Sequence, residues 1–364
     1  MRLLFALPGF HRYDRGAEVA LLAVADALAR TGDDVMVMGA GPARVGTAYD
    51  FRSIGAIRRE RFERFPFFPG LRSETAWEDA SFAPGLLAAY RPGNYDAVVT
   101  CSFPFTHWAL RRPAPTKPLQ IFVTQNGDWP AYSSNSEYRS FRCDGLVCTN
   151  PDYFERNREQ WRCALVPNGV DLERFVPGVA ERERFGLPAD KPIVLMVSAF
   201  IDTKRVLDGI RAVSQLDDAF LVVAGDGPLR DEGEALAADL LPGRFKRLSL
   251  AASDMPALYR SADAFLHLSL LESFGNVFIE AWASGLPVIG HDSERLRWIF
   301  GDSGKFLCDT EDQLVLIAML RAALALGRLR EGQPGGIERF SWATIADQYR
   351  DFITGLLAEG RSVG

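Results

Sequence analysis

The stretch ESFGNVFIEAWASGLPVIG, residues 272–290, holds two glutamates, Glu272 and Glu280, eight positions apart. It follows a strand-length apolar run, AFLHLSL (264–270), and NVFIEAWASG reads as the start of a helix. Small residues at a helix start (Ser273, Gly275, Asn276) leave backbone N–H groups open to an anion, and the helix dipole favours negative charge there. Glu280 then lies about one turn inside the helix, and Glu272 in the loop before it. A carboxylate offers two acceptor oxygens and no donor, which suits a vicinal diol. Two carboxylates flanking an anion site match a ligand with hydroxyls at both ends and phosphate in the middle, the layout of a nucleotide sugar. A lone pair of glutamates at this spacing is common by chance, and the plain alternative is a solvated loop acid and a helix-surface acid.

Outward from this stretch the chain alternates short apolar runs with amphipathic helical segments. In the first half LLFAL (3–7), DVMVMGA (34–40), DAVVTCS (96–102), LQIFVTQN (119–126) and GLVCTN (145–150) read as buried parallel strands. In the second half PIVLMVSA (192–199), AFLVVAGDG (219–227), KRLSL (246–250), AFLHLSL and LPVIGHDS (286–293) repeat the theme. Between 16 and 32, Leu21, Val24, Ala25 and Leu28 share one helix face. Two successive βα series predict two doubly wound α/β domains, with ligand at strand C-termini. The expected join lies near VPNGVDLERFVPG (166–178), so the reading is one domain over 1–165, a second over 166–338, and a final helical segment over 339–364.

Composition narrows the function classes. Hydrophobic residues make up 48% and charged residues 24%, as in globular proteins. A net charge of −6 argues against a nucleic-acid binder. The five cysteines form no CxxC pair and the four histidines no cluster, so neither a disulfide scaffold nor a metal site is expected. The run LLFAL is too short for a signal-peptide core or a membrane span, and a cytoplasmic protein is expected.

In frame with its neighbours, ESFGNVFIEAWASGLPVIG resembles the signature of the retaining GT-B glycosyltransferases of family 4. VPNGVDLERFVP (166–177) is similar to the family's start of the donor domain, SAFIDTKRVLDGIRAV (198–213) to its lysine-bearing loop, and AGDGPLRDE (224–232) to its GxGP turn. The helix FSWATIADQYRDF resembles the segment that crosses back to the first domain in this fold. The resemblance implies two Rossmann-like domains facing across a cleft, with acceptor bound by the first and nucleotide-sugar donor by the second. It implies that Glu280 binds the ribose hydroxyls and Glu272 those of the transferred sugar. Backbone N–H groups of Gly275, Asn276 and Val277 would hold the distal phosphate, Lys204 would neutralise the diphosphate, and the backbone near Leu248 would face the base. The RGAE turn, with Gly16, resembles the glycine-rich first loop that faces the donor phosphate. No metal or other cofactor is implied.

Two positions depart from the family pattern. Ala199 stands where an arginine usually precedes the loop lysine by five residues, and Arg205 is the candidate replacement. Losing one of two cations at a leaving diphosphate costs on the order of a few kcal/mol of transition-state stabilisation. Gln125 stands where the family often has histidine. Candidates on the acceptor and sugar side are His11, Asp14, Arg15, His107, Gln125 and Asp128. His267, mid-strand, and Trp282 and Trp342 read as core.

Other readings stay open. A non-catalytic nucleotide-sugar-binding protein is kept alive by Ala199 and Gln125, and a nucleotide-sugar epimerase shares the two-domain plan. The expected partners are a nucleotide-sugar donor and a glycan, lipid-linked or small-molecule acceptor. The segment AIRRERFERFPFFPGLR (56–72) interleaves arginines with phenylalanines. It fits either a surface loop whose rings cover the domain or a peripheral contact with the inner membrane face.

Overall fold

The computed structural model describes residues 1–362 of the 364-residue chain. The chain divides into two compact units, one formed by residues 1–168 with 342–364 and the other by residues 169–341.

Unit 1 is built on strands β1 (Arg2–Ala6), β2 (Asp34–Gly39), β3 (Asp50–Ser53), β4 (Ala97–Thr100), β5 (Leu119–Val123), β6 (Gly145–Cys148) and β7 (Cys163–Leu165). They form a parallel sheet in the order β3-β2-β1-β4-β5-β6-β7. Its helices are α1 (Gly16–Arg30), α2 (Glu74–Ala89), α3 (Phe105–Leu110), α4 (Trp129–Tyr132) and α5 (Pro151–Asn157). Unit 2 carries β8 (Ile193–Val197), β9 (Phe220–Ala224), β10 (Phe245–Leu248), β11 (Ala264–His267), β12 (Val288–His291) and β13 (Leu307–Cys308). Their order is β10-β9-β8-β11-β12-β13, again parallel. Its helices are α6 (Val206–Ser214), α7 (Arg230–Leu240), α8 (Met255–Ser261), α9 (Asn276–Ala283), α10 (Glu294–Phe300) and α11 (Gln313–Leu326).

The continuous apolar runs follow from burial on both faces of each sheet. In β8, Ile193 and Leu195 enter one core cluster while Val194 and Met196 enter the cluster on the other face. In β1, Leu3 and Phe5 separate from Leu4 and Ala6 in the same way. The last helix, α12 (Trp342–Ser362), belongs to unit 1. It buries Ile345, Ala346, Tyr349, Ile353 and Leu356 in the cluster that holds Leu3, Phe5 and the apolar face of α1. Its Arg350 reaches Asp33 at 3.0 Å, beyond the end of α1.

Three strands that the sequence pattern does not announce, β3, β7 and β13, each lie at the edge of a sheet. They are two to four residues long and largely half-buried or exposed, so no apolar run marks them. The strands that are announced stop short of their apolar runs. Thr124–Asn126, Ser198–Ala199 and Leu268–Leu270 belong instead to loops at strand C-termini, where both candidate sites lie.

Candidate functional site

In unit 2 the strand order reverses direction at β8, whose neighbours are β9 and β11. Ligands of doubly wound sheets bind outside the strand C-termini at such a switch point. The loops leaving β8 and β11 carry Lys204 and Glu272, and the structure joins the two in an ion pair. The same oxygen, Glu272 Oε1, accepts from His267 Nε2 at 2.9 Å. Since an ionised carboxylate only accepts, the proton of that bond sits on the ring nitrogen. Among the described residues Glu272 Oε2 accepts no hydrogen bond. Burial alone would raise the Glu272 pKa, but the His267 bond and the Lys204 charge outweigh it and hold the group at about 2. The Arg295 guanidinium, buried on α10, donates to the Glu272 carbonyl and fixes the loop from behind.

Glu280 stands on α9 with the opposite electrostatics. Its Oε2 accepts from the buried Tyr259 hydroxyl at 2.9 Å, and its Oε1 accepts nothing among the described residues. Burial raises its pKa above the ordinary 4.5, against smaller lowering by Tyr259 and Arg174. Each glutamate therefore has one oxygen held by the protein and one open. Between them α9 begins at Asn276, directly after left-handed Gly275 (φ 90°, ψ 65°), so the positive end of the helix lies between the two glutamates. A Cβ on Gly275 would lie 2.7 Å from the Phe278 ring, which packs edge-on against His267 at 4.9 Å. Gly275→Ala is therefore expected to cost about 1–3 kcal/mol from left-handed strain and ring displacement. The shift of the urea midpoint measures it, and an unchanged midpoint would show that the turn relaxes freely.

The loop of Lys204 is fixed from two sides. The GDG turn packs directly on it, because a Cβ on Gly225 or Gly227 would collide with the carbonyl of Ser198 or Phe200. Phe200 N donates to Asp226 O at 3.0 Å. On the other side Arg205 adopts left-handed φ 52° and spends its guanidinium on Asp208 (2.9 Å) and on the Thr310 hydroxyl and carbonyl (3.1 and 3.0 Å). These bonds anchor the loop that presents Lys204. Leu248 ends β10 half-buried, beside Ala224 of β9.

Unit 1 has its own switch point between β1 and β4. A cavity of about 540 Å³ opens there, lined by the turn after β1, the start of α1, the first turns of α2 and the loop after β5. Arg15 and Gln125 of the expected acceptor-side residues line it, as does Gly16, expected to face the donor phosphate. Arg15 donates to buried Glu18 at 3.1 Å, and Gln125 exchanges amide bonds of 2.5 and 3.0 Å with Asn168. The other four, His11, His107, Asp128 and Asp14, are not among its lining residues. His11 is 4% exposed, its nitrogens held by Pro42 O (2.9 Å) and Tyr49 Oη (2.7 Å) and its ring stacked 3.8 Å from Phe51. His107 is buried in the aromatic core against Phe141, where burial pushes its pKa down to about 3. Asp128 is 1% exposed and ties Arg156 (3.1 Å) and Asn157 (2.8 Å) of α5. Asp14 pairs with Arg44 at 2.8 Å.

Several residues of these sites carry no legible signal. Tyr259, Arg295, Glu78 and Asp79 sit in ordinary amphipathic helices. Yet Glu78 and Asp79 are each 1% exposed, both line the cavity, and Asp79 accepts from Phe105 N at 2.8 Å. His267 is core, as its position in an apolar run suggests, and is also a partner of Glu272.

The chain is similar to known proteins. The model of glycosyl transferases group 1 matches residues 180–332, and that of Glycosyltransferase Family 4 matches residues 15–174. The lipopolysaccharide core biosynthesis glycosyltransferase LpsE of Rhizobium meliloti (strain 1021) is 30% identical over 64% of this chain and 69% of its own length. LpsD of the same organism is 31% identical over 68% and 73%. Among solved structures, sucrose-phosphate synthase from Thermosynechococcus elongatus superposes with a TM-score of 0.71 at 20% identity, covering 98% of this chain and 95% of that one. Anabaena HepE, solved in complex with UDP and glucose, gives 0.67 at 16% identity over 98% and 100%. With the relatives covering both units and the solved structures sharing the two-sheet plan, this chain belongs to the group 1 glycosyltransferases and has their GT-B fold.

Proposed function

We propose that this protein transfers a hexosyl group, with retention of configuration, from a nucleoside diphosphate sugar to a hydroxyl of a glycan or lipid-linked acceptor. The observation that carries the reading is the pair of glutamates, each with one oxygen held by the protein and the other open, on either side of a helix start. Glu280 Oε1 is the acceptor for a ribose hydroxyl, and Glu272 Oε2 for a hydroxyl of the hexose. The N–H groups at the start of α9 take the distal phosphate. As the bond between sugar and diphosphate breaks, Lys204 turns from its partner carboxylate to the departing charge. The acceptor oxygen then attacks the oxocarbenium-like sugar from the face the diphosphate leaves, and its proton passes to that diphosphate. The protein's contribution is charge stabilisation and positioning.

The acceptor reading rests on the cavity of unit 1. Its volume is within the roughly 300–1,000 Å³ of small-ligand sites, and Glu18, Glu78 and Asp79 share its wall with Phe103, Trp129 and Tyr138. Carboxylates beside aromatic rings suit the hydroxyls and C–H faces of a sugar. The relatives named for lipopolysaccharide core biosynthesis point to the same acceptor class.

Titration calorimetry with UDP, GDP, ADP and their sugar conjugates tests the donor class. One nucleotide is expected to bind clearly best, with UDP tried first because a structure of this fold holds it. Binding of none would overturn the reading. A second reading, binding without transfer, is favoured by the exposed Ala199 and the engaged Arg205, which leave Lys204 as the cation paired at the switch point. Tight binding with neither donor hydrolysis nor product formation would select it.

A further inference from the structure

Residues 57–72 lie between β3 and α2 and hold none of the residues assigned to the transfer step above. Ile57, Phe65, Phe67 and Phe68 are 49%, 45%, 58% and 51% exposed. Arg58, Arg61, Arg64 and Arg72 are exposed among them. The segment is held in place rather than loose. Phe62 turns inward to 6% exposure and stacks on Trp77 at 5.7 Å, and Phe65 meets the edge of the same indole at 5.3 Å. Phe68 and Leu71 close a tight turn through reciprocal backbone bonds of 3.2 and 2.8 Å, with Pro69 and left-handed Gly70 at its tip. Anchoring by Phe62 and Trp77 thus leaves Phe67 and Phe68 facing solvent.

Charge decides what covers these rings. Over residues 56–72 there are five arginines and two glutamates, net +3, in a chain whose net charge is −6. Glu60 is engaged by Arg59 (3.9 Å) and the Tyr13 hydroxyl (3.3 Å), and Arg59 stacks over the Tyr13 ring at 4.6 Å. Arg58, Arg61 and Arg64 form no ion pair among the described residues. Exposed aromatic rings in a field of arginines fit the boundary between anionic headgroups and acyl chains, where rings enter the apolar side and guanidinium groups stay with phosphate.

We infer that residues 57–72 form a docking surface for an anionic phospholipid bilayer, with Phe67 and Phe68 inserted and Arg58, Arg61 and Arg64 on the headgroups. The chain leads directly from this surface into Ser73, Thr75 and Ala76, which line the cavity of unit 1. Docking would therefore bring that cavity to the lipid surface.

The test is co-sedimentation of the full chain with phosphatidylcholine vesicles containing phosphatidylglycerol at roughly a third of the lipid, against phosphatidylcholine alone. Wild type is expected to bind the anionic vesicles and to lose binding as salt rises. The variant R58E/R61E/R64E is expected to lower the partition coefficient by roughly a hundredfold, at about fivefold for each arginine removed. F67S/F68S, which leaves the charge intact, is expected to weaken it separately. Equal binding to both vesicle types, or wild-type binding by the arginine variant, would overturn the inference. So would an unaffected F67S/F68S, which would leave only adsorption of charge, or vesicle binding that requires an added protein. The measurement needs no donor or acceptor, so its outcome is independent of the transfer reaction.

Discussion

Glu272→Gln is expected to lower the rate of sugar transfer by about two to three orders of magnitude while leaving affinity for the free nucleoside diphosphate unchanged. The split follows from the geometry: Glu272 Oε1 organises Lys204 and His267, and Oε2 is assigned to the hexose, which the free diphosphate lacks. Initial rates and calorimetry on the same variant check it. Loss of diphosphate binding together with rate would mean that the site had collapsed, and the assigned role would fall. The substitution also has a stability signature. The carboxyl is held at about 2, below its ordinary 4.5. Its contribution is therefore complete above about 4.5 and is lost as pH falls toward 2. It amounts to on the order of 3 kcal/mol for this largely buried side chain. Glu272→Gln should lower Tm at neutral pH, and the difference from wild type should shrink on acidification.

Glu280→Gln is expected to behave in the opposite sense on stability and to fail at an earlier step of function. Burial raises the Glu280 pKa. A group with a raised folded-state value contributes stability below its unfolded value and loses it as pH rises through the folded one. Because burial raises its pKa, Glu280 weighs against the fold at neutral pH, so the amide, which still accepts from Tyr259, should raise Tm in the absence of ligand. Nucleotide affinity should nevertheless fall roughly tenfold to a hundredfold, since a hydrogen bond to a charged group is worth about 1.5–3 kcal/mol. Wild-type affinity should also decline on acidification, beginning above pH 4.5, as the open oxygen gains a proton. A variant that is less stable and binds nucleotide normally would remove Glu280 from the donor site. Together the two substitutions separate a carboxylate that the protein stabilises from one that it keeps at a cost for a ligand.

Most of the fold was legible because both sheets are parallel and buried on both faces. Such strands read as apolar runs, as in β1, β8 and β9, whereas β10, half-buried at a sheet edge, carries Lys246 and Arg247. The edge strands β3, β7 and β13 are short and partly solvated, and nothing local distinguishes them from loops. The unit 2 site was legible for a related reason. Glu272, Gly275 and Glu280 lie within nine residues and Lys204 in a loop of recognisable type, so the pattern survives in one dimension. The lining of the unit 1 cavity was not. His11, His107 and Asp128 stand out in the sequence but are buried outside the cavity lining, whereas Glu78 and Asp79 look like surface acids and line the cavity.

The sequence alone thus determined what depends on local order: the alternation of strands and helices, and the helix start between two carboxylates. It could not determine which of two loops sixty-eight positions apart would share a proton acceptor, or that Arg205 would turn to Thr310 while Lys204 turned to Glu272. Those outcomes depend on strand order. Setting β11 beside β8 brings their C-terminal loops together, and burial there decides which charges are paired, which oxygens stay open and which way each pKa moves.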